Sequence, residues 1–415
     1  MSTTAVSPEV IRARLARHVV WLVALAVLVT VSLVRLWTGV DRMTAPGTLR
    51  MAIIGACPIL LAGLGGLWAE RAGVVNIGLE GQMLLGTWGA AFFAYHYGAW
   101  AGVAGAAAMG LIGGLLHAVA TVTFGVDHII SGVAVNMIGL GAVGFLASMF
   151  FTDLDGGGPR KLSGYDTPPE FTVPWVSDGA SSLAGKHWFV VSDLAGLVGG
   201  LTTRLSALTV LTFALVGLTA WVLWRTPFGL RLRSCGENPQ AAETLGVDVY
   251  RYKYLATAIS GAFAGLGGAY LAMVAASAFT AGQTGGRGYI GLASMIFGNW
   301  RPSGVLAGSL MFGYTDGIAL LSGAGSIVHA LLLLIAILLV AYAAVKLRRG
   351  EPVAALVIGA ISLGAFVWYL AADSVDASFT GMTPYVVTLF VLAVASQRLR
   401  MPAADGKPYR RGGAG

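Results

Sequence analysis

Apolar runs of about twenty residues fill most of the chain, separated by short polar pieces. Such a run is long enough to cross the hydrocarbon core of a bilayer as a helix. The pattern predicts spans at Val19–Leu36, Met51–Trp68, Ile77–Tyr97, Trp100–Phe124, Ile129–Phe151, Leu205–Trp224, Tyr254–Ala278, Val305–Leu321, Ile327–Val345, Val353–Ala372 and Met382–Ala395. A further apolar piece, Tyr289–Trp300, reaches only about 18 Å as a helix, so it predicts a broken or partly extended crossing. The expected fold is an all-α polytopic membrane protein with about 10–12 transmembrane segments, some of them short or broken.

The polar segments set the predicted organisation. Residues 152–203 form the one long polar segment and are expected to be an extracytoplasmic loop, whereas residues 225–253 are rich in arginine and lysine and are expected to be a cytoplasmic loop. Most basic residues fall on one side if every apolar segment crosses, which by the positive-inside rule places both termini in the cytoplasm. We therefore expect residues 1–415 to form a single transmembrane domain.

Composition supports this interpretation. Charged residues make up 11% of the chain, against about 25% in soluble domains, and the mean hydropathy is +0.77. The 59 glycines predict closely packed helices, because small residues let membrane helices approach one another. The net charge of +7 is explained by basic loops beside the lipid bilayer and does not indicate a nucleic-acid partner.

One polar stretch, "ERAGVVNIGLEGQ", interrupts the apolar pattern after the second span. Glu70 and Arg71 are typical of an interfacial pair at the end of a span. Asn76 and Glu80 lie four residues apart and would share a helix face, and glycines loosen that helix. The stretch predicts either a broken helix that lines a substrate path or a helix cap that faces the bundle. Further candidates for a pathway are Gln82, Asn136, Gly291 and Trp300. A hydrogen bond between helices is the alternative role for Asn136.

The two halves of the chain contain a weak internal sequence similarity, here called the echo. "IGLEGQMLLGTW", Ile77–Trp88, resembles "IGLASMIFGNW", Ile290–Trp300. In the predicted topology the two copies cross in opposite directions. This arrangement is what an inverted repeat would give, and interrupted segments at matching places of two repeats indicate a transport site. A chance match in a chain rich in glycine and leucine is the alternative.

A second polar stretch, "CGENPQAAETLG", lies in the basic loop and predicts a short helix. Asn238 suits the N-cap, Pro239 the first helical position and Gly246 the residue after the C-terminus. Ala241, Ala242 and Leu245 are expected on one face. Because so short a helix is unstable alone, it must dock on this protein or on a partner.

These stretches resemble a known family. "RLRSCGENPQAAETLGVDVYRYKYLATAISGAFAGLGGAYLA" and "ERAGVVNIGLEGQMLLG" are similar to permease subunits of bacterial ATP-binding-cassette (ABC) importers, in the branch of the ribose and branched-chain amino acid permeases. "NIGLEG" and "CGENPQAAETLG" look most like the nucleoside and simple-sugar permeases. The resemblance implies that the segment around Gly236, Glu237 and Gly246 is the coupling element that docks on an ATPase. The hairpin formed by Ile327–Val345 and Val353–Ala372 departs from the family pattern.

The resemblance also implies the partners and the location. The chain has no GxxxxGK[ST] motif, so ATP and Mg would be bound by a separate cytoplasmic ATP-binding subunit and no cofactor is expected here. A second permease subunit, identical or paralogous, and an extracytoplasmic solute-binding protein or lipoprotein would complete an importer of nucleosides or related small polar solutes in the bacterial inner membrane. An ion-coupled secondary transporter is the alternative that the echo and broken helices also allow. No catalytic or metal-ligating residues are predicted.

Overall fold

The computed structural model describes residues 25–319, 323–380 and 399–412, together with Leu22, Leu321, Met382, Thr383 and Val386. Within these residues the chain is mostly helical, and each strand has only two residues. Seven of the described helices are long and apolar enough to cross a membrane: Pro46–Arg71, Ala99–Thr123, His128–Phe150, Ala207–Arg225, Val249–Ala275, Ala324–Arg348 and Pro352–Ala371. The predicted all-α polytopic fold is confirmed.

The described helices and strands include shorter or less apolar elements beside these seven. The helices are α1 Leu25–Thr38, α2 Pro46–Arg71, α3 Leu79–Tyr97, α4 Ala99–Ala118, α5 His128–Phe150, α6 Pro174–Ala184, α7 Val191–Thr202, α8 Ala207–Arg225, α9 Pro227–Glu237, α10 Pro239–Thr244, α11 Val249–Tyr270, α12 Arg287–Phe297, α13 Pro302–Ala319, α14 Ala324–Arg348, α15 Pro352–Ala371 and α16 Ala377–Thr380. The strands are β1 Gly157–Gly158, β2 Lys161–Leu162, β3 Glu170–Phe171, β4 Leu205–Ser206 and β5 Phe279–Thr280. Turns of π-helix extend α4 to Thr123 and α11 to Ala275.

The predicted spans coincide with helices except at the two ends of the chain. Two of these helices, α3 at the predicted span Ile77–Tyr97 and α13 at Val305–Leu321, are not among the seven long apolar helices. The predicted span Val19–Leu36 begins outside the described residues, and its described part is α1. Most of the predicted span Met382–Ala395 lies outside them as well. The short piece Tyr289–Trp300 is α12 followed by a turn, in which Asn299 and Trp300 both adopt a left-handed conformation with φ of 53°.

The described chain divides into two compact units, and the predicted single domain stays a prediction. Unit 1 comprises Met1–Arg50, Val173–Thr203 and Ile318–Thr383. In this unit the buried guanidinium of Arg35 lies 2.9 Å from the carboxylate of Asp193 and 2.9 Å from that of Asp41. The second half of the predicted extracytoplasmic loop therefore forms the helix pair α6–α7. The ion pair between Arg35 and Asp193 joins α7 to α1. The α14–α15 hairpin belongs to the same unit.

Unit 2 comprises Met51–Thr172, Arg204–Gly317 and Pro384–Gly415 and has two distinct ends. Helices α5 and α11 run the length of the unit. At one end, here called the basic end, His128 of α5 binds Val75 and Lys253 of α11 binds the carbonyl of Gly73. At the other, here called the strand end, β2 follows α5 and pairs with β5, which follows α11. The chain between β5 and α13 therefore crosses unit 2 from the strand end to the basic end, as predicted for a broken crossing.

Glycines bring three helices of unit 2 into backbone contact. Most of α3 is buried, and it packs against α4 and α11. A Cβ atom at Gly86 of α3 would overlap the backbone of Gly265 in α11, and a Cβ at Gly261 of α11 would overlap the backbone of Gly110 and Gly114 in α4. Close packing and weak backbone contacts hold membrane helices together, because lipid gives little hydrophobic drive for their association. The predicted tight bundle is thus built on glycine at the contacts between these helices.

We expect Gly261→Val to unfold or misassemble unit 2, because backbone atoms of α4 occupy the space that the side chain needs. Overpacking of this kind costs about 1–3 kcal/mol or more. Thermal unfolding and size-exclusion profiles in detergent measure the loss. Gly141→Val on α5 is the matched control, since nothing lies within 4 Å of a Cβ there and both variants place valine in a helix. Equal stability of the two variants would contradict the proposed glycine contact.

Candidate functional site

The predicted break in the polar stretch lies between α2 and α3. Gly73 adopts φ of 81°, and residues 72–78 are not helical. Two histidines hold the broken segment: His128 Nδ1 accepts a hydrogen bond from the N–H of Val75 at 3.1 Å, and His117 Nε2 lies 2.9 Å from the carbonyl of Val75. Ser131 lies 2.9 Å from the other nitrogen of His117. Both imidazoles therefore satisfy a backbone that left the helix, which is required where little water is available.

Asn76 closes the break with a buried amide pair. Its side chain has 0% exposure. The amide nitrogen of Asn76 lies 3.0 Å from Gln82 Oε1 and donates to Ser260 Oγ at 2.8 Å, while Asn76 Oδ1 accepts from Gln82 and from the N–H of Gly78. Because each polar atom has a partner within the bundle, Asn76 and Gln82 join α3 to α11 and do not face open space in this structure.

Glu80 binds the start of α12 although more than 200 residues separate them in sequence. Its carboxylate accepts hydrogen bonds from the hydroxyl of Thr284 at 2.6 Å and from the N–H groups of Gly286 at 2.8 Å and Gly288 at 2.7 Å. No side chain at the N-cap of α12 satisfies these N–H groups. A helix N-terminus carries unpaired donors and partial positive charge, so the negative side chain of α3 caps α12.

Asn136 joins the same junction from α5. Its side-chain oxygen accepts from the N–H of Gly81 at 2.7 Å, and its nitrogen donates to the carbonyl of Ile77 at 3.0 Å and to the hydroxyl of Tyr289 at 2.9 Å. Tyr289 is 47% exposed. Asn136 and Tyr289 thus join α5 to the start of α12 at a partly exposed side of the junction.

The two copies of the echo meet at this junction. Gly288, which precedes the second copy, packs against the backbone of Glu80 in the first, and Gly291 packs against Gly63 of α2. From there α3 runs toward the strand end, and α12 runs toward the basic end, where Trp300 lies beside Arg71. The copies therefore start together and run in opposite directions, and the inverted repeat itself stays a prediction.

Trp300 is the centre of a hydrogen-bonded cluster with Glu70 and Arg71 at the basic end, here called the Trp300 cluster. Its indole N–H donates to Glu70 at 2.6 Å, and its carbonyl accepts two hydrogen bonds from the guanidinium of Arg71, at 3.0 and 2.6 Å. Glu70 and Arg71 were expected as an interfacial pair at the end of a span, and here both bind Trp300. The ring of Trp300 is 3% exposed, so it does not offer a stacking surface in this structure.

The predicted short helix of the basic loop is present as α10. Asn238 Oδ1 accepts from the N–H of Ala241 at 3.0 Å, Pro239 is the first helical residue and Gly246 has φ of 80°. The expectation of one apolar face is wrong. Ala242 is 2% exposed, and Leu245 is 84% exposed.

The reason for this split is that α10 already docks on its own chain. Ala242 packs in a small apolar cluster with Cys235 of α9 and Val249 of α11. Leu245, just after the helix, and Ala241 point away from this cluster and are exposed. Leu245 is therefore an exposed, large apolar side chain beside α10 that a partner can reach, and Ala242 holds the helix in place.

Sequence reasoning missed the segment that covers α9 and α10. Residues 399–412, here called the C-terminal segment, follow the last apolar run and lie against the basic end, where Asp405 is 6% exposed. Burial raises the pKa of Asp405 to about 7, although the neighbouring side chains of Glu70, Lys253 and Arg71 lower it. An acidic residue within a strongly basic tail was the available signal.

We expect the free energy of unfolding of wild type to fall relative to Asp405→Asn as the pH rises from 5 to 8. A carboxyl whose pKa is raised by folding stabilises the protein fully below its unfolded pKa of about 3.8, and this contribution is lost as the pH passes about 7. The asparagine variant keeps the neutral form throughout, so the difference should grow by on the order of 1–3 kcal/mol. Thermal unfolding of both proteins across this range measures it, and a constant difference would contradict it.

Comparisons with known proteins agree with these features. The family described as branched-chain amino acid transport system / permease component matches residues 49–343. The guanosine ABC transporter permease protein NupQ of Bacillus subtilis is 36% identical over 277 residues, which cover 65% of this chain and 80% of NupQ. The nucleoside ABC transporter permease protein NupC of Lactococcus lactis is 31% identical over 365 residues, which cover 86% of this chain and 94% of NupC.

A third relative has a different named solute. The putative glucose ABC transporter permease protein TsgC13 of Haloferax volcanii is 34% identical over 279 residues, which cover 67% of this chain and 78% of TsgC13. No solved structure matches the chain. Since the family match covers well over half of the 415 residues, the chain belongs to the branched-chain amino acid transport system permease family.

Proposed function

We propose that this chain is the membrane-spanning permease subunit of an ABC importer that translocates a nucleoside. The observation that carries the proposal is the similarity to the Lactococcus lactis nucleoside permease over 94% of that protein's length, together with the guanosine permease of Bacillus subtilis. The putative glucose permease of Haloferax volcanii supports a related sugar as the second candidate, because ribose and glucose present similar hydroxyl groups. The ion-coupled alternative has no support among these relatives.

The partners follow from the proposed function. A separate subunit would bind ATP and Mg and would dock at α10, a second permease subunit would complete the membrane part, and an extracytoplasmic protein would deliver the solute. The basic end of unit 2 carries Arg71, Arg233 and Lys253, so by the positive-inside rule we place it in the cytoplasm of a bacterial inner membrane. Labelling of a cysteine at the exposed Gln240 by an impermeant reagent in intact cells would contradict this orientation.

The junction of α3 and α12 is our proposed position of the solute route. Half-helices whose N-termini meet inside a transporter supply oriented N–H groups and freed carbonyls, and such groups bind polar solutes. Within the junction Asn76 and Gln82 hold the broken segment, Glu80 caps α12, and Gly291 and Trp300 fix α12 against α2. Asn136 and the exposed Tyr289 would contact the solute as it passes.

Glu80→Gln should lower solute uptake about tenfold or more while the protein remains folded. The amide keeps the shape of the side chain but loses the negative charge that caps α12, and it turns one acceptor into a donor facing the N–H groups of the loop. Uptake assays and size-exclusion profiles of the detergent-extracted protein separate the two effects. Glu170→Gln is the control, since that carboxylate pairs with Arg204 at the strand end. Normal uptake by Glu80→Gln would show that the cap plays no part in transport.

The proposed function is tested by coexpression with the P-loop ATPase subunit that it requires. Wild type should copurify with the ATPase and stimulate ATP hydrolysis when solute is supplied. Leu245→Glu should reduce both at least tenfold, because a charge would replace the exposed apolar side chain of α10 in a desolvated contact. Phe171→Glu, a partly exposed apolar side chain of β3 at the strand end, is the matched control.

Two outcomes would contradict the proposal in different ways. Uptake that persists without the ATPase and collapses with the ion gradient would identify a secondary transporter. Full copurification and coupling by Leu245→Glu would move the docking site away from α10. Ala242→Glu is a poorer test, because the buried Ala242 holds α10 on its own chain and its replacement would also disrupt the helix.

A further inference from the structure

The C-terminal segment is attached to the helices of the coupling element by its backbone. The N–H of Ala404 donates to the carbonyl of Gly236 at 2.9 Å, and the N–H of Ala403 lies 3.3 Å from the carboxylate of Glu237. Both acceptors lie in the last turn of α9, whose final carbonyls lack partners within the helix. The segment therefore completes the C-terminus of α9, just before α10 begins.

Tyr409 attaches the segment to α10 itself. Its ring packs on the apolar cluster that contains Ala242 and lies 5.5 Å from the ring of Tyr250. Its hydroxyl donates to Glu243 of α10 at 2.6 Å, and Arg411 lies 3.3 Å from the same carboxylate. A six-residue helix is not stable alone, so these contacts help to fix α10 in its orientation.

The segment also contacts residues beside the Trp300 cluster. The N–H of Arg400 donates to Asn299 Oδ1 at 2.7 Å, in the turn that follows α12. Asp405 is buried beside Glu70, which accepts the indole N–H of Trp300. One stretch of chain thus contacts α10, the end of α2 and the end of α12, and these are the elements that join the coupling helix to the solute route.

A groove separates the C-terminal segment from the first turn of α10. It encloses about 630 Å³ and is lined by Asn238 and Gln240 on one side and by Lys407, Pro408 and Arg410 on the other. The side chains of Lys407 and Arg410 are exposed, and Leu245 is exposed on the same helix–loop unit. Glu237 lines the groove as well, so its charged lining is two cations and one carboxylate, and Leu245 lies outside it.

We propose that the C-terminal segment is the second half of the docking surface, so that the groove between it and α10 receives an acidic segment of the ATPase. The inference rests on the proposed function and extends it from one helix to a composite surface. Charge complementarity argues for the occupant: Lys407 and Arg410 would meet its carboxylates, while the one carboxylate of the lining, Glu237, already lies 3.8 Å from Arg71. Leu245, exposed outside the groove, would fill an apolar site of the same partner. The bonds of the segment to Asn299 and its burial beside Glu70 would carry a movement of the docked ATPase to α12.

The test compares charge reversals at the two ends of unit 2, in the full chain coexpressed with the P-loop ATPase. Lys407→Glu combined with Arg410→Glu should weaken ATPase binding at least tenfold. Binding should also depend less on salt between 50 and 300 mM, because the variant lacks the attractions between exposed charges that salt screens. Arg160→Glu combined with Lys161→Glu is the matched control, as both are exposed cations at the strand end. Tyr409→Ala should weaken binding through loss of the attachment without any change of charge, and Tyr409→Phe should do so less.

The outcomes distinguish this inference from the proposed function. If wild type does not bind the ATPase or couple hydrolysis to solute, the proposed function fails and the inference with it. If wild type binds and Leu245→Glu does not, but the Lys407/Arg410 reversal and Tyr409→Ala bind and couple as wild type does, the composite surface is overturned and α10 alone docks. Membrane insertion and size-exclusion profiles of each variant show that a loss of binding does not reflect unfolding.

Discussion

The arrangement of unit 2 depends on the capping of α12 by Glu80. A helix that starts inside a membrane protein exposes N–H groups that neither water nor lipid can satisfy, and each unsatisfied group costs several kcal/mol in hydrocarbon. The carboxylate of Glu80 meets two of these groups and the hydroxyl of Thr284. Because Glu80 is itself in the first turn of α3, one side chain fixes the start of both half-helices.

Local signals in the sequence were sufficient to predict elements but not their partners. Asn238, Pro239 and Gly246 predicted α10 because caps act on neighbouring residues, and the glycines around Asn76 predicted the break before α3 for the same reason. The partners of Glu80 lie more than 200 residues away, so no local pattern could identify them.

The orientation of α10 was the main error of the candidate site. Helical spacing placed Ala241, Ala242 and Leu245 together, yet Ala242 is covered by the chain itself and Leu245 is not. A helical spacing gives relative positions on a helix and does not say which side another segment already covers. Tyr409 is part of that cover, and it comes from a tail whose composition resembles a solvated terminus.

Helix α12 connects the two polar regions of unit 2. It has 11 residues and therefore a length of about 16 Å, with its start at Glu80 and with Trp300 in the turn after its end. Glycines of α2 let α12 pack closely, with Gly291 against the backbone of Gly63 and the side chains of Leu292 and Met295 against Gly66, so packing there resists small deformations. A short, closely packed helix that is capped by Glu80 at its start and followed by the Trp300 cluster at its end would move as one body. A displacement applied at the basic end would then change the geometry around Glu80 and Asn136, which is the mechanical requirement for coupling a docked ATPase to a route in the middle of the protein.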